Sequence, residues 1–510
     1  MNETPIPTIR ALIRDFADGM QRPSELLERC LAAIGRANPG INALPTLRPA
    51  EALRDAAMEM DARLSAGEPV GPLAGLPYAA KDTHRTAGLR TTRGSPIFAD
   101  EVPTVNDPIV QRLLDAGALL VGKSNTPEFA AGSQTFNPVL GTTRNPWDPT
   151  RTVGGSSGGG AAALASAMVL VADGSDLAAS LRNPASFCGV AGMRPTSRSQ
   201  PALRMHADAF STLSMVGPMA RGVDDLRLAY RAIHDPRPVR PIAAWSASMR
   251  EESVATGRGA AALGLPGTPR IPSKLRIAWT VDCDGAMPVS APVRGTILAA
   301  VDRLRDAGVE LIEAAPDFSG ADECFQVLRG LFFVEMLGDL YQTDKARMKD
   351  TVAWNVEFGL SLDAARIARA TRMRSELFER TACFASGFDA WLLPTAQVLP
   401  FDLSIPHPTE IEGRALRTYI DWLSSCYWIS TAGHPAVSIN SGWASDGGAP
   451  LPVGLQLMGR WGEDEALLDI AETVEAILAP AARPPIEPGF QITAGRFGSS
   501  SGFGPSGGKA

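Results

Sequence analysis

Residues 154–165 read Gly-Gly-Ser-Ser-Gly-Gly-Gly-Ala-Ala-Ala-Leu-Ala, and no other stretch restricts the fold as strongly. Side chains this small let backbone lie against backbone at distances that larger residues forbid. From Gly160 to Ala172 the chain is too rich in alanine for a strand and reads as a buried helix after a glycine loop. A flexible linker would not run straight into a buried helix. A phosphate cradle of the Walker type needs Gly-Lys-Ser/Thr, which the run lacks. The reading left is a tight turn that holds Ser156 close to other backbone.

Composition narrows the class. The 510 residues would by length alone suggest two to four domains, and 45% hydrophobic residues suffice for a large core. A net charge of −7 argues against a nucleic-acid surface. The six cysteines (30, 188, 283, 324, 383 and 426) have neither CxxC nor CxxH spacing. They read as buried apolar residues in a reducing compartment, with no disulfide frame and no metal site. Met1–Pro5 shows no basic start and no apolar core of a secretory signal, and the apolar part of 152–172 is too short to span a bilayer. The expectation is a cytoplasmic protein, a monomer or homodimer, that takes a small molecule and binds neither nucleic acid nor membrane.

Strand and helix patterns alternate over most of the chain, which argues an α/β fold. Ser24 reads as the N-cap of a helix over 25–34, with Gly40 past its end. Leu73–Ala80 and Leu119–Gly122 are short apolar runs bounded by glycine, hence strands, and Lys81 then lies at a strand end. Lys274–Trp279 and Val309–Ile312 read as strands on either side of an amphipathic helix over 293–307. Phe325, Leu328, Leu331, Phe332, Phe333, Met336 and Leu337 give a helix too many large residues for one face. Most of them read as core and a few as pocket lining. Asp421, Trp422 and Cys426 read as core. Residues 236–273 read as an irregular surface excursion, or a mobile linker between lobes, within a catalytic domain expected over 1–485, and the Gly/Ser-rich tail at 486–510 is expected to be disordered.

Ser180 follows Asp176-Leu177-Ala178-Ala179 where a helix should begin, a place where backbone N–H groups can meet a developing oxyanion. A plain N-cap serine would sit in the same place. With five histidines and no Asp/His/Ser arrangement, a serine nucleophile needs another base, and a desolvated lysine is the candidate. Lys81, between an apolar run and Asp82, reads on its own residues equally as a base or as a surface lysine. His84 nearby is a weak rival.

Several stretches carry a likeness. They are Gly75-Leu76-Pro77-Tyr78-Ala79-Ala80-Lys81-Asp82, Lys123-Ser124-Asn125-Thr126-Pro127-Glu128-Phe129, Asn145-Pro146-Trp147-Asp148, Phe187–Thr196, Gly217–Arg221 and Pro452–Gly459. With them, over about 24–478, the chain resembles the amidase signature family, the Ser-Ser-Lys amide hydrolases. The resemblance implies an α/β/α sandwich around a mixed sheet of roughly eleven strands, and no cofactor. It implies Ser180 as nucleophile, Ser156 as relay behind a cis peptide bond, and Lys81 as base. The amides of Leu177, Ala178, Ala179 and Ser180 would form the oxyanion hole, with Ser157, Asp176 and Arg182 in support and Phe129 and Ala130 beside the pocket. The family usually has Gly-Gly before the nucleophile; Ala178-Ala179 adds two methyl groups and would be strained at any position with φ above zero. The implied activity is hydrolysis of small to medium apolar amides, aryl amides first, with esters or carbamates as further substrates. The alternatives are an amidotransferase component of the same family that works on glutamyl-tRNA in a complex, and a non-catalytic binding protein on the same fold.

Overall fold

The computed structural model describes residues 7–197, 211–234 and 275–478. The excursion at 236–273 and the tail from 486 lie outside the described residues. One eleven-stranded sheet runs through the molecule. Its order is Thr46–Leu47, Leu119–Ser124, Pro77–Lys81, Val171–Asp176, Met215–Ala220, Ala191–Arg194, Ala436–Ala444, Leu451–Met458, Ala390–Pro394, Arg276–Trp279 and Glu310–Glu313. Pro77–Lys81 lies parallel to both its neighbours, while Met215–Ala220 is antiparallel to both of its own. The sheet is therefore mixed, as the resemblance implied.

Helices cover both faces of the sheet, which is why its strands read as apolar runs rather than alternating ones. In Pro77–Lys81, Tyr78 and Ala80 pack with residues of the helices Ile9–Ala17, Pro108–Asp115 and Val223–His234. Ala79, between them, packs the other way, with residues of Ala50–Ser65 and Gly158–Ala165. The helix Gly158–Ala165 is buried along its whole length. At its start a Cβ on Gly159 would stand 2.2 Å from the Asn125 nitrogen and 2.6 Å from the Ala43 oxygen. The glycines are thus a packing requirement. They let the helix, and the two serines before it, lie directly on the strand end that carries Lys81.

Several local readings change. The strand expected from Leu73 begins at Pro77, and among the six cysteines Cys383 is exposed and Cys283 half-buried. The first long helix is Pro23–Ile41, so Ser24 lies inside it and Gly40 does not end it. Proline at the first helical position starts the helix one residue earlier. Ser24 bonds Asp61 instead, through its N–H at 3.1 Å and its hydroxyl at 2.5 Å. Asn42, at φ 56°, ends it. The helix expected over 160–172 stops at Ala165, and Val171 and Ala172 open the next strand.

The C-terminal half builds its own core around Trp391, Leu392, Leu393 and the helices Ala291–Asp306 and Asp464–Leu478. The long helix Ala321–Asp344 divides its apolar residues between two places. Phe325 stacks on Tyr427 in that core, with ring centroids 4.6 Å apart. Phe332, Phe333 and Leu337 join Phe129, Met348 and Val352 in a separate cluster. Gly159→Ala is expected to destabilise the fold by about 1–3 kcal/mol, the usual cost of overpacking against backbone that cannot move. Gly160→Ala, whose Cβ would meet the Ala172 Cβ at 3.1 Å and no backbone closer than that, should cost less. Chemical denaturation of the two variants checks the order.

Candidate active site

Lys81 is the last residue of its strand and is fully buried. Its Nζ donates to three hydroxyls: Ser156 Oγ at 2.8 Å, Ser157 Oγ at 3.0 Å and Ser175 Oγ at 3.0 Å. Burial pushes the amine down to about 7, while Asp173 and Asp176 pull the other way. An amine that is half neutral near pH 7 and touches hydroxyls can take a proton from one of them. The peptide bond between Gly155 and Ser156 is cis. The Ser157 N–H donates to the Ser180 carbonyl at 3.1 Å, which ties the glycine loop to the turn at 177–180.

That turn leaves the strand Val171–Asp176 and enters the short helix Arg182–Cys188. Ser180 lies two residues before the helix, and Leu181 occupies the cap position. The Leu181 N–H donates to Asp176 Oδ2 at 3.2 Å. Among the described residues no acceptor meets the amides of Leu177, Ala178, Ala179 or Ser180. Their carbonyl side is held instead: Ala178 O accepts from Arg182 Nη2 at 2.9 Å and from Ser430 Oγ at 3.0 Å. Arg182 is fully buried and also bonds both oxygens of Asp176, at 3.0 Å each. Burial raises the Asp176 carboxyl, but Arg182 and Arg194 together bring it below the ordinary carboxylate range. Neither Ala178 nor Ala179 has positive φ, so this turn does not require glycine at either position.

Ser156, Ser175 and Ser180 open onto one cavity of about 570 Å³, a size that suits a small molecule. Leu177, Ala178, Phe129, Phe332, Phe333 and Met336 give it an apolar wall, with Arg85, Asp107 and Glu335 among the charged lining groups. Ala179 does not line it and is buried in the core. Phe129 and Ala130 both do, and both are left-handed, at φ 50° and 59°. Such backbone persists only where its surroundings fix it. Here the Phe129 N–H donates to Arg93 O at 2.8 Å and the Ala131 N–H to Glu128 O at 2.8 Å, while Ser95 Oγ at 2.7 Å and the Lys349 N–H at 2.8 Å anchor the Glu128 side chain.

A family model described as Amidase matches residues 25–468. The chain belongs to the amidase signature family. An acylamidase of Rhodococcus erythropolis is 30% identical over 91% of this chain and 94% of its own length. The A-type chain of a glutamyl-tRNA(Gln) amidotransferase from Prochlorococcus marinus (strain MIT 9303) is 33% identical over 88% and 92%. A solved amidase structure superposes with a TM-score of 0.76 at 26% identity, over 92% of this chain and 99% of that one.

Within this amidase fold Lys81, Ser156, Ser157, Asp176, Ser180 and Arg182 lie together, although they come from separate parts of the chain. His84 is buried, its Nδ1 3.0 Å from Asp173 Oδ2. Ser175, the third hydroxyl on Lys81, was not singled out from the sequence. No local signal marks it, because what brings it to Lys81 is the pairing of its strand with Pro77–Lys81. Tyr419 and Ile420 also line the cavity, just before the segment read as core. Among the described residues no group of three His, Cys, Asp or Glu side chains could hold a metal ion, and no helix is long and apolar enough to cross a membrane. Replacing Ala178 and Ala179 together by glycine should lower stability by about 0.5–1 kcal/mol per site, because glycine gains backbone freedom when unfolded and relieves no positive φ here. A higher melting temperature in the double variant would contradict that account.

Proposed function

We propose that the chain hydrolyses the C–N bond of small to medium apolar amides through an acyl-enzyme on Ser180. The observation that carries this reading is the buried Lys81 amine, 2.8 Å from Ser156 Oγ, with Ser180 on the same cavity. Neutral Lys81 takes the Ser156 proton as Ser156 takes that of Ser180. The Ser180 oxygen then attacks the carbonyl carbon. The amides of the 177–180 turn receive the oxyanion. The C–N bond breaks as the proton returns through Ser156 to the leaving amine. Water then attacks the acyl ester by the same route and releases the acid. The apolar wall favours apolar acyl or amine groups, with aryl amides first and esters or carbamates as further candidates.

The amidotransferase relative supports a second reading, in which the chain works within a multi-protein complex. Purification together with partner proteins would favour it. Hydrolysis of simple anilides by the isolated chain would favour the amidase.

Ser180→Ala should abolish turnover while leaving the melting temperature unchanged. Activity within tenfold of the unmodified protein would overturn the assignment.

Lys81 must be neutral to act, so kcat/KM should rise with pH through about 7. Lys81→Met should remove that limb and roughly 10²-fold or more of the rate. A pH–rate profile of both proteins, on the same anilide, decides the point.

A further inference from the structure

We infer that Asp173, a buried carboxylate on the strand beside Lys81, is a positioning residue that sets how readily the Lys81 amine takes and returns its proton. The inference rests on the proposed role of Lys81 as base. Asp173 is fully buried. It lies in Val171–Asp176, the parallel neighbour of Pro77–Lys81. Its Oδ1 accepts the Lys81 backbone N–H at 2.6 Å, and its Oδ2 accepts the Tyr78 hydroxyl at 2.5 Å. His84 Nδ1 stands 3.0 Å from the same Oδ2. One carboxylate thus meets three residues of the lysine segment: Tyr78, Lys81 and His84.

A carboxylate sealed from water stays ionised only if enough donors replace the water. Burial pushes Asp173 up, but His84, the Tyr78 hydroxyl and the Lys81 N–H together bring it below the ordinary carboxylate range. Its negative charge favours the ammonium form of Lys81, against the effect of burial. The other charged groups nearby take their strongest opposite charges elsewhere, although Asp173 also acts on Lys123. Asp176 is paired with Arg182 at 3.0 Å and Arg194 at 3.7 Å. Lys123, on the other neighbouring strand, bonds the His84 carbonyl and Thr86 Oγ1, with Asp82 its strongest favourable charge. Among the described residues no arginine pairs with Asp173.

The chemistry explains why such a charge belongs there. Lys81 has to hold a proton transiently in a dry site and then return it. Burial alone would make the amine too weak a base and its ammonium form too costly. A fixed carboxylate one strand away opposes both effects without itself accepting the proton. The Tyr78 hydroxyl and the Lys81 N–H hold it in place.

The test is the pH dependence of Asp173→Asn against Tyr78→Phe, read in three ways. These are kcat/KM on a p-nitroanilide, the rate of Ser180 labelling by a fluorophosphonate, and the titration of Lys81 followed by NMR of ¹³Cε-labelled lysine. Asp173→Asn should move the Lys81 limb about one pH unit or more to the acid side, as loss of a nearby opposite charge does, and should lower the plateau. Tyr78→Phe keeps the charge and should leave the limb in place. An unmoved limb in folded Asp173→Asn, or an equal shift in Tyr78→Phe, would overturn the inference. If Asn at 173 does not fold, Asp173→Ser serves instead. It also removes the charge and should move the limb to the acid side; no movement would again overturn the inference. Failure of the proposed base is a separate result: Lys81→Met would keep the limb, while the NMR titration of Lys81 would still report the effect of Asp173.

Discussion

A lysine amine buried among three hydroxyls is the constraint on which the site depends. Desolvating an ammonium is costly, and the amine meets that cost by giving up its charge more readily than a lysine in water. Such burial needs depth. Lys81 ends a central strand with a parallel neighbour on each side and helices over both faces. The hydroxyls reach it because the chain that brings them has almost no side chains. Gly159 lies against Asn125 and Ala43 backbone, so Ser156 and Ser157 arrive from one direction while Ser175 arrives from the adjoining strand. The glycine run and the buried lysine are two sides of one packing solution.

The turn before the helix Arg182–Cys188 solves a different problem. In the proposed mechanism its N–H groups stay available while its carbonyl side is held. Arg182 does this by gripping the carbonyl side. It bonds Asp176, Ala178 O, Ser430 Oγ, Gln456 Oε1 and the Cys426 carbonyl, all within the interior. A buried guanidinium is tolerable only when its donors are met this fully. The same bonds connect the turn to the helix Ser424–Ala432 and the strand Leu451–Met458, roughly 250 residues away in sequence. The C-terminal half thereby fixes a turn that belongs to the N-terminal half.

The parts of the site legible in the sequence were those with a local signature. A glycine run announces close packing, an apolar run before Lys81 announces a strand end, and Asp176-Leu177-Ala178-Ala179-Ser180 announces a strand giving way to a helix. What stayed hidden depends on contacts distant in sequence. Nothing local says that Ser175 faces Lys81, that Asp173 accepts the Lys81 N–H, or that Tyr419 reaches the cavity. The left-handed backbone at Phe129 and Ala130 was equally illegible, because neither residue favours it. Its partners Arg93, Ser95 and Lys349 are distant in sequence. Ser24 misled for the same reason. It has cap chemistry, but Asp61 claims its hydroxyl and Pro23 starts the helix.

The cavity therefore separates two tasks along the chain. Lys81, Ser156, Ser175 and the 177–180 turn lie on the sheet and on the loops packed against it, where a displaced atom would disturb buried charge. Phe332, Phe333, Met336 and Leu340 come from one face of the helix Ala321–Asp344, and Tyr419 and Ile420 from a loop; these residues shape the space without touching Lys81. Phe332 and Phe333 pack in a satellite cluster with Met348 and Val352, outside the main core that holds Trp391 and Leu393. Volume changes there meet fewer fixed neighbours than changes under the sheet would. The proposed proton relay is consequently the conservative part of this architecture. The wall opposite it is where one amide substrate can be exchanged for another at least cost to the fold.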